Sequence, residues 1–373
     1  MMCSVSPSPL DGFVVGITAD RRWSEQAVLL RRRGAEIVHG PSIETAYLAC
    51  DDALRAATTS LIERPPHYLA ATTGIGIRAW FEAAQSWGLA DALTHALVGT
   101  RIVARGPKAA AAVQAVGLAA WRSAANEQMD QVLEHLLGEP LDGMQVAVQL
   151  YGMPAPELTG ALAAAGADVL EIPVYQWRTP DDPVPAVRLA QATIDGRLHA
   201  VTFTAAPAVT NLFALAAAHG IDDALREAFN RRGVVAACVG PVCARGAIEA
   251  GITDPLVPSV GRLGLLVRAL SERLVSDRKT VHMAGVDVVL QGLVALVGEQ
   301  RVRLNGRERA LLDALAARPG TVISRPILIR RMWSSNGADP HAVEVAVARL
   351  RPRLGPAGAA LVAVPGRGYR LDP

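Results

Sequence analysis

The chain has 373 residues, of which 51% are hydrophobic and 19% charged, with a formal net charge of +2. Single cores stop growing near about 250 residues, so a folded protein of two or three cores is expected. Four cysteines (Cys3, Cys50, Cys238, Cys243) follow no CxxC pattern, and the histidines are scattered without metal-ligand spacing. This argues against a disulfide framework or a metal site and for a reducing cytoplasm.

The stretch MMCSVSPSPLDG has no basic region followed by an apolar one, and VVLQGLVALVG is too short to cross a bilayer. Neither secretion nor membrane insertion is expected. The near-neutral total conceals an asymmetry. From Thr280 onward there are 13 arginines, no lysine and 7 acids, net +6, which leaves −4 on the preceding residues. A basic end on a mildly acidic body implies that only the end meets a polyanion.

The body repeats itself. Residues 13–41 parallel 144–175, residues 67–84 (HYLAATTGIGIRAWFEAA) parallel 199–217 (HAVTFTAAPAVTNLFALAA), and residues 98–118 parallel 234–252. Each unit is an apolar strand, a turn with Thr or Gly, and an amphipathic helix. The expected fold class is therefore α/β, with two parallel-sheet halves covered by helices and a cleft between them. Gly74-Ile75-Gly76-Ile77-Arg78-Ala79 fits the GxGxxA outline of a dinucleotide fingerprint, but no strand ending in an acid follows about twenty residues on. The bare turn, with backbone N–H groups facing an anion, is the better reading.

Beyond residue 280 the pattern changes to short strands (TVHMAG, VDVVLQG, LVALVG, RVRL), three helices and a hairpin. Asn305 with Glu308 forms a capping-box pattern for the first helix, which Pro319-Gly320 stops. Ser324 can cap the second, which ends at Trp333, and Asp339-Pro340 can open the third. At 100° per residue the third helix, HAVEVAVARLRPRL, places Val343, Val347, Leu350 and Leu354 on one stripe. His341, Val345, Ala348 and Arg349 lie opposite, and Arg351 and Arg353 flank the stripe. Small and basic side chains on the free face suit a major groove, where Arg meets guanine and Val or Ala meets thymine methyls. VAVPGRGYR then reads as a hairpin with Arg367 at its tip, in reach of phosphate or a minor groove.

Taken in order, Leu304-Asn305-x-x-Glu308, LLDALAARPG, VISR, Trp333, Val343-x-Val345, RLRPRL and GRGYRL resemble the winged helix-turn-helix domain of bacterial response regulators. The resemblance implies contacts with double-stranded DNA through Arg325, His341, Val345, Ala348, Arg349, Arg351, Arg353, Arg367, Tyr369 and Arg370, and a dimer on DNA. Pro352 and Pro365 depart from the family pattern. No receiver-like segment precedes this domain.

AATTGIGIRAW, VARGPKAAAAVQAVGL, CVGPVCARGAIEAGI and VYQW, as a set, make the body resemble uroporphyrinogen-III synthase over residues 12–275. The resemblance implies one half from 12–40 and 176–275, another from 41–175, extended crossings around Ile37–Ile43 and Ile172–Gln176, a linker at 276–280 and a DNA-binding domain at 281–373. It implies a tetrapyrrole or other small anionic ligand held by Thr18, Arg21, Arg22, Thr73, Gly74, Arg105, Thr204, Ala205, Gly240, Cys243 and Arg245, with Arg78 and Lys108 nearby. Tyr175 matches the tyrosine held to assist hydroxyl departure from hydroxymethylbilane, a reaction without metal or organic cofactor. Gly74, Ala205 and Cys243 stand where the family usually has hydroxyl side chains. A ligand-sensing regulator of nitrite assimilation or tetrapyrrole supply, an active synthase carrying a DNA-binding domain, and a DNA-binding protein whose body serves association all remain open.

Overall fold

The computed structural model describes residues 8–48, 52–231, 233–332 and 341–373. Cys3, Cys50, Trp333, Asp339 and Pro340 lie outside the described residues. The chain divides into two compact units, one running to Ile43 and resuming at Thr179, the other spanning Glu44–Arg178.

In the first unit four parallel strands stand in the order Val235–Cys238, Ala200–Phe203, Val14–Ile17, Glu36–His39. All residues of the first three are buried, whereas the edge strand Glu36–His39 is partly exposed. Burial on both faces explains why these strands read as unbroken apolar runs and not as alternating ones.

The second unit has five parallel strands in the order Ala120–Ser123, Arg101–Ala104, Tyr68–Ala71, Gln145–Gln149, Asp168–Ile172. Its largest fully buried side chain is Trp80, on the helix Gly74–Ser86. The Trp80 indole N–H donates to Thr58 Oγ1 at 2.9 Å, so the one polar atom of that ring is satisfied.

The crossing strands differ from expectation. Glu44–Tyr47 pairs antiparallel with Tyr175–Arg178, with Thr45 opposite Trp177 and Tyr47 opposite Tyr175. The ribbon starts just after Ile37–Ile43 and overlaps Ile172–Gln176 at Tyr175 and Gln176, while Glu36–His39 pairs with Val14–Ile17 and Asp168–Ile172 with Gln145–Gln149.

The C-terminal part of the first unit is an antiparallel sheet (Lys279–Met283, Val286–Gln291, Val294–Val297, Gln300–Arg303), three helices (Gly306–Ala316, Arg325–Met332, Ala342–Arg353) and the hairpin Leu361–Val364/Gly368–Leu371. The Asn305–Glu308 capping box is formed in both directions. Val343, Val347, Leu350 and Leu354 are buried in one core with Leu311, Leu315, Leu328 and Tyr369. Two residues, Asp277 and Arg278, lie between the helix Leu263–Ser276 and the first strand of this sheet. No helix among the described residues is long and apolar enough to cross a membrane.

One half-buried base gives the first unit a pH dependence. Val14 N–H donates to His199 Nδ1 at 3.0 Å, and Phe13 meets the imidazole edge-on at 5.2 Å. Burial, then the nearby Arg309 charge, lowers the His199 pKa from 6.5 to about 4. Unfolded chains take this proton near pH 6.5, so between the two values the unfolded state binds it and the folded state does not. Stability should be complete above about pH 6.5 and fall by at most about 3 kcal/mol as pH drops through 4. His199→Asn preserves an acceptor for Val14, and urea unfolding across this range should then lose that slope. An unchanged slope would place the proton uptake on another group.

Candidate functional site

In open parallel sheets the helices start at the carboxyl ends of the strands, so turn residues and helix N-termini gather along one edge. In the second unit that edge carries Thr72-Thr73-Gly74 after Tyr68–Ala71, Arg105-Gly106 after Arg101–Ala104, and Leu150-Tyr151-Gly152 after Gln145–Gln149. Gln149 joins two of these turns: Thr72 Oγ1 donates to its backbone carbonyl at 2.7 Å, and Thr73 N–H donates to its Oε1 at 3.0 Å. Gly76 N–H donates to Thr73 Oγ1 at 3.1 Å, so Thr73 caps the helix Gly74–Ser86 and that donor is already used.

Tyr175 is buried, its hydroxyl 3.5 Å from Thr73 Oγ1 and its ring edge-on to Trp177 at 6.1 Å. Gly152 has φ +89°, and a Cβ there would lie 2.7 Å from the Trp177 ring. Both the conformation and the close approach demand glycine.

Arg105 is the informative charge on this edge. Its guanidinium lies 5.6 Å over the Tyr151 ring, and burial holds its pKa below the usual range, opposed by Tyr175, Tyr151 and Glu127. Among the described residues no carboxylate lies within ion-pair distance of it. A guanidinium withdrawn from water without a carboxylate is costly, and an incoming carboxylate would satisfy it. The helix Pro107–Ala115 begins two residues later and adds its positive end. Arg78 and Lys108 are exposed.

The same edge of the first unit carries Thr18, Thr204-Ala205 and Gly240. Thr18 is fully buried, and its hydroxyl donates to the Thr202 carbonyl at 2.8 Å. Ala205 occupies the N-cap of Ala206–Ala218 without a side-chain cap, unlike Thr73 in the other unit. Cys243 is buried 3.5 Å from the Phe203 carbonyl, and its hydrogen bond with Cys238, aided by burial, holds its pKa far above the usual thiol range. It is a packed, neutral thiol. Arg22 is held by Glu25 in a two-pronged ion pair, while Arg21 and Arg245 are exposed.

On the third helix of the C-terminal part, Val345, Ala348 and Arg349 are exposed, as is Arg367 in the hairpin turn. Arg349 and Arg367 have no side-chain partner among the described residues. Five other basic residues of the expected contact set are engaged. Arg325 pairs with Glu344 at 2.9 Å and lies 5.8 Å over the Tyr369 ring; His341 bonds Glu344 at 2.7 Å; Arg370 bonds Asp372 at 2.6 Å. Arg351 donates to the Leu361 carbonyl at 2.8 Å, and Arg353 bonds Glu308 at 2.5 Å. Tyr369 is buried. Sequence reasoning did not single out Gln149, Tyr151 or Glu344. The signal for Gln149 was a lone amide in the apolar run VAVQL.

The family description uroporphyrinogen-III synthase HemD matches residues 24–268. The chain belongs to the uroporphyrinogen-III synthase family. A mutant uroporphyrinogen III synthase from the extremely thermophilic bacterium Thermus thermophilus is 31% identical with a TM-score of 0.56, covering 70% of this chain and 99% of that one. The uncharacterized protein YjjA of Bacillus subtilis (strain 168) is 30% identical over 258 residues, 69% of this chain and 94% of YjjA. To this synthase-like body is joined a DNA-binding transcriptional-regulator domain. The description transcriptional regulatory protein, C terminal, matches residues 298–371. The transcriptional regulatory protein PcoR of Escherichia coli is 30% identical over 111 residues, 29% of this chain and 49% of PcoR. The chain thus spans about half the length of such regulators.

Proposed function

We propose that this protein is a cytoplasmic transcriptional regulator whose synthase-like body binds a tetrapyrrole or another small anionic ligand and so changes the affinity of the C-terminal domain for its operator. The observation that carries the reading is Arg105, a guanidinium drawn into the protein beside Tyr151 with no carboxylate to meet it among the described residues, in a chain that also carries a DNA-binding domain. Missing hydroxyls support binding over turnover: Ala205 leaves a helix N-cap bare, and Cys243 replaces a hydroxyl with a packed thiol. Genes of nitrite assimilation or tetrapyrrole supply are the proposed targets, bound as a dimer. A synthase that also binds DNA is the second reading, favoured by the Tyr175–Thr73 hydroxyl pair.

A ligand shifts DNA affinity only through differential affinity for two conformations of the body. With an operator selected from random duplexes, saturating uroporphyrin should change the dissociation constant of the intact chain about 5- to 150-fold. Equal affinity with and without uroporphyrin would remove that ligand from the mechanism. Conversion of hydroxymethylbilane by the purified chain would instead establish the second reading.

A further inference from the structure

Inside the first unit, the DNA-binding domain rests on the segment that precedes and contains the first two strands of the parallel sheet. Leu293 N–H donates to the Gly12 carbonyl at 2.6 Å, the Gln291 amide to the Asp11 carbonyl at 2.7 Å, and the Arg278 guanidinium to the Pro9 carbonyl at 2.9 Å. Gly12 has φ +81°, and a Cβ there would fall 2.7 Å from the Gln291 carbonyl oxygen. Two ion pairs flank this seam: Arg301 Nε meets Asp11 at 2.7 Å and Arg303 meets Glu36 at 2.5 Å. Beside Arg303 is a pocket of about 580 Å³, with Val14, Val38, Leu198, Arg188 and Arg197 on one side and Leu293 and Leu304 on the other.

The seam brings Asp11 and Glu36 to Arg301 and Arg303, with a close backbone approach at Gly12 and the pocket beside Arg303. Both ion pairs are partly solvated, and pairs of that kind are individually weak and screened by salt. The exposed residues of the third helix, Val345, Ala348 and Arg349, and Arg367 of the hairpin take no part in these contacts. Glu36 lies on the strand Glu36–His39, and only residues 40–43 separate that strand from Glu44–Tyr47, where the chain enters the second unit.

We infer that Asp11 and Glu36 form an electrostatic latch that makes the DNA-binding domain move as one piece with the four-stranded parallel sheet. The body then acts on DNA by displacing a docked, readable domain, and not by releasing a masked one. This goes beyond ligand sensing and holds whatever the ligand proves to be.

Trypsin reads the latch directly, because Arg278 and Lys279 lie at the junction and Arg278 is held by Pro9 while the domain is docked. In the full-length chain, Asp11→Ala with Glu36→Ala should speed cleavage at Arg278 and Lys279 at least tenfold. Raising NaCl from about 0.05 to about 0.5 M should accelerate cleavage of the native chain and leave that variant almost unchanged. Reversing all four charges (Asp11→Arg, Glu36→Arg, Arg301→Glu, Arg303→Glu) should restore slow cleavage, which separates a broken latch from a damaged fold. Native-like cleavage in the alanine variant, or fast cleavage in the reversed one, would overturn the inference.

Discussion

Replacing Arg105 by methionine is expected to lower affinity for uroporphyrin by about 2–5 kcal/mol, roughly thirtyfold or more, the cost of removing one partner of a desolvated charge pair. Methionine retains much of the packing against Tyr151 and removes the charge. The same change should leave the ligand-free protein as stable as before or slightly more so. A guanidinium whose pKa burial already depresses, and which has no carboxylate partner among the described residues, adds little to the fold. Opposite effects on binding and on thermal stability are what distinguish a ligand-facing charge from a structural one. Titration followed by Soret absorbance, beside a melting curve, measures both. Unchanged affinity would assign the ligand to other residues, and a large loss of stability would make Arg105 a structural charge.

Arg349→Ala should weaken specific operator binding by about 1–3 kcal/mol and relax discrimination at a single base pair, as expected for a lost bidentate contact to guanine. Because Arg349 is exposed and has no described partner, stability should change by less than about 0.5 kcal/mol. Arg351→Ala makes the informative contrast. Its guanidinium bonds the Leu361 carbonyl at the start of the hairpin, so losing it should loosen that hairpin and reduce stability as well. Binding measured against the operator and against point-substituted duplexes separates these outcomes. Equal weakening on every sequence would make Arg349 a phosphate contact.

Much of the architecture was legible because it rests on local periodicity. Apolar runs such as YLAA and VVGI are strands buried on both faces, and the Val343, Val347, Leu350, Leu354 stripe is the buried face of a helix. The capping box was legible for the same reason, since its partners stand three residues apart. What periodicity cannot supply is pairing across long stretches of chain. Gln149 meets Thr72 and Thr73 from more than seventy residues away, and Arg301 reaches Asp11 across 290. The helical wheel set Arg351 beside the buried stripe, but it carries no information about a carbonyl ten residues further on. Of the basic side chains that the resemblance names, Arg325, His341, Arg351, Arg353 and Arg370 also hold partners within the protein, which a helical wheel does not show.

The ribbon of Glu44–Tyr47 and Tyr175–Arg178 bears on how the protein is made. Every strand of the five-stranded sheet lies between its two arms, so that sheet has all its partners once residue 178 has left the ribosome. Val14–Ile17, earliest in sequence among the strands of its own sheet, must wait for Ala200–Phe203 before its inner side is paired, and Ala200–Phe203 in turn for Val235–Cys238. During translation the inserted unit can therefore mature while apolar Val14–Ile17 is still half-paired, and domains that emerge complete generally fold as units. A slowing of elongation between codons 180 and 240 should leave that strand exposed longest and draw chaperones to the amino-terminal segment.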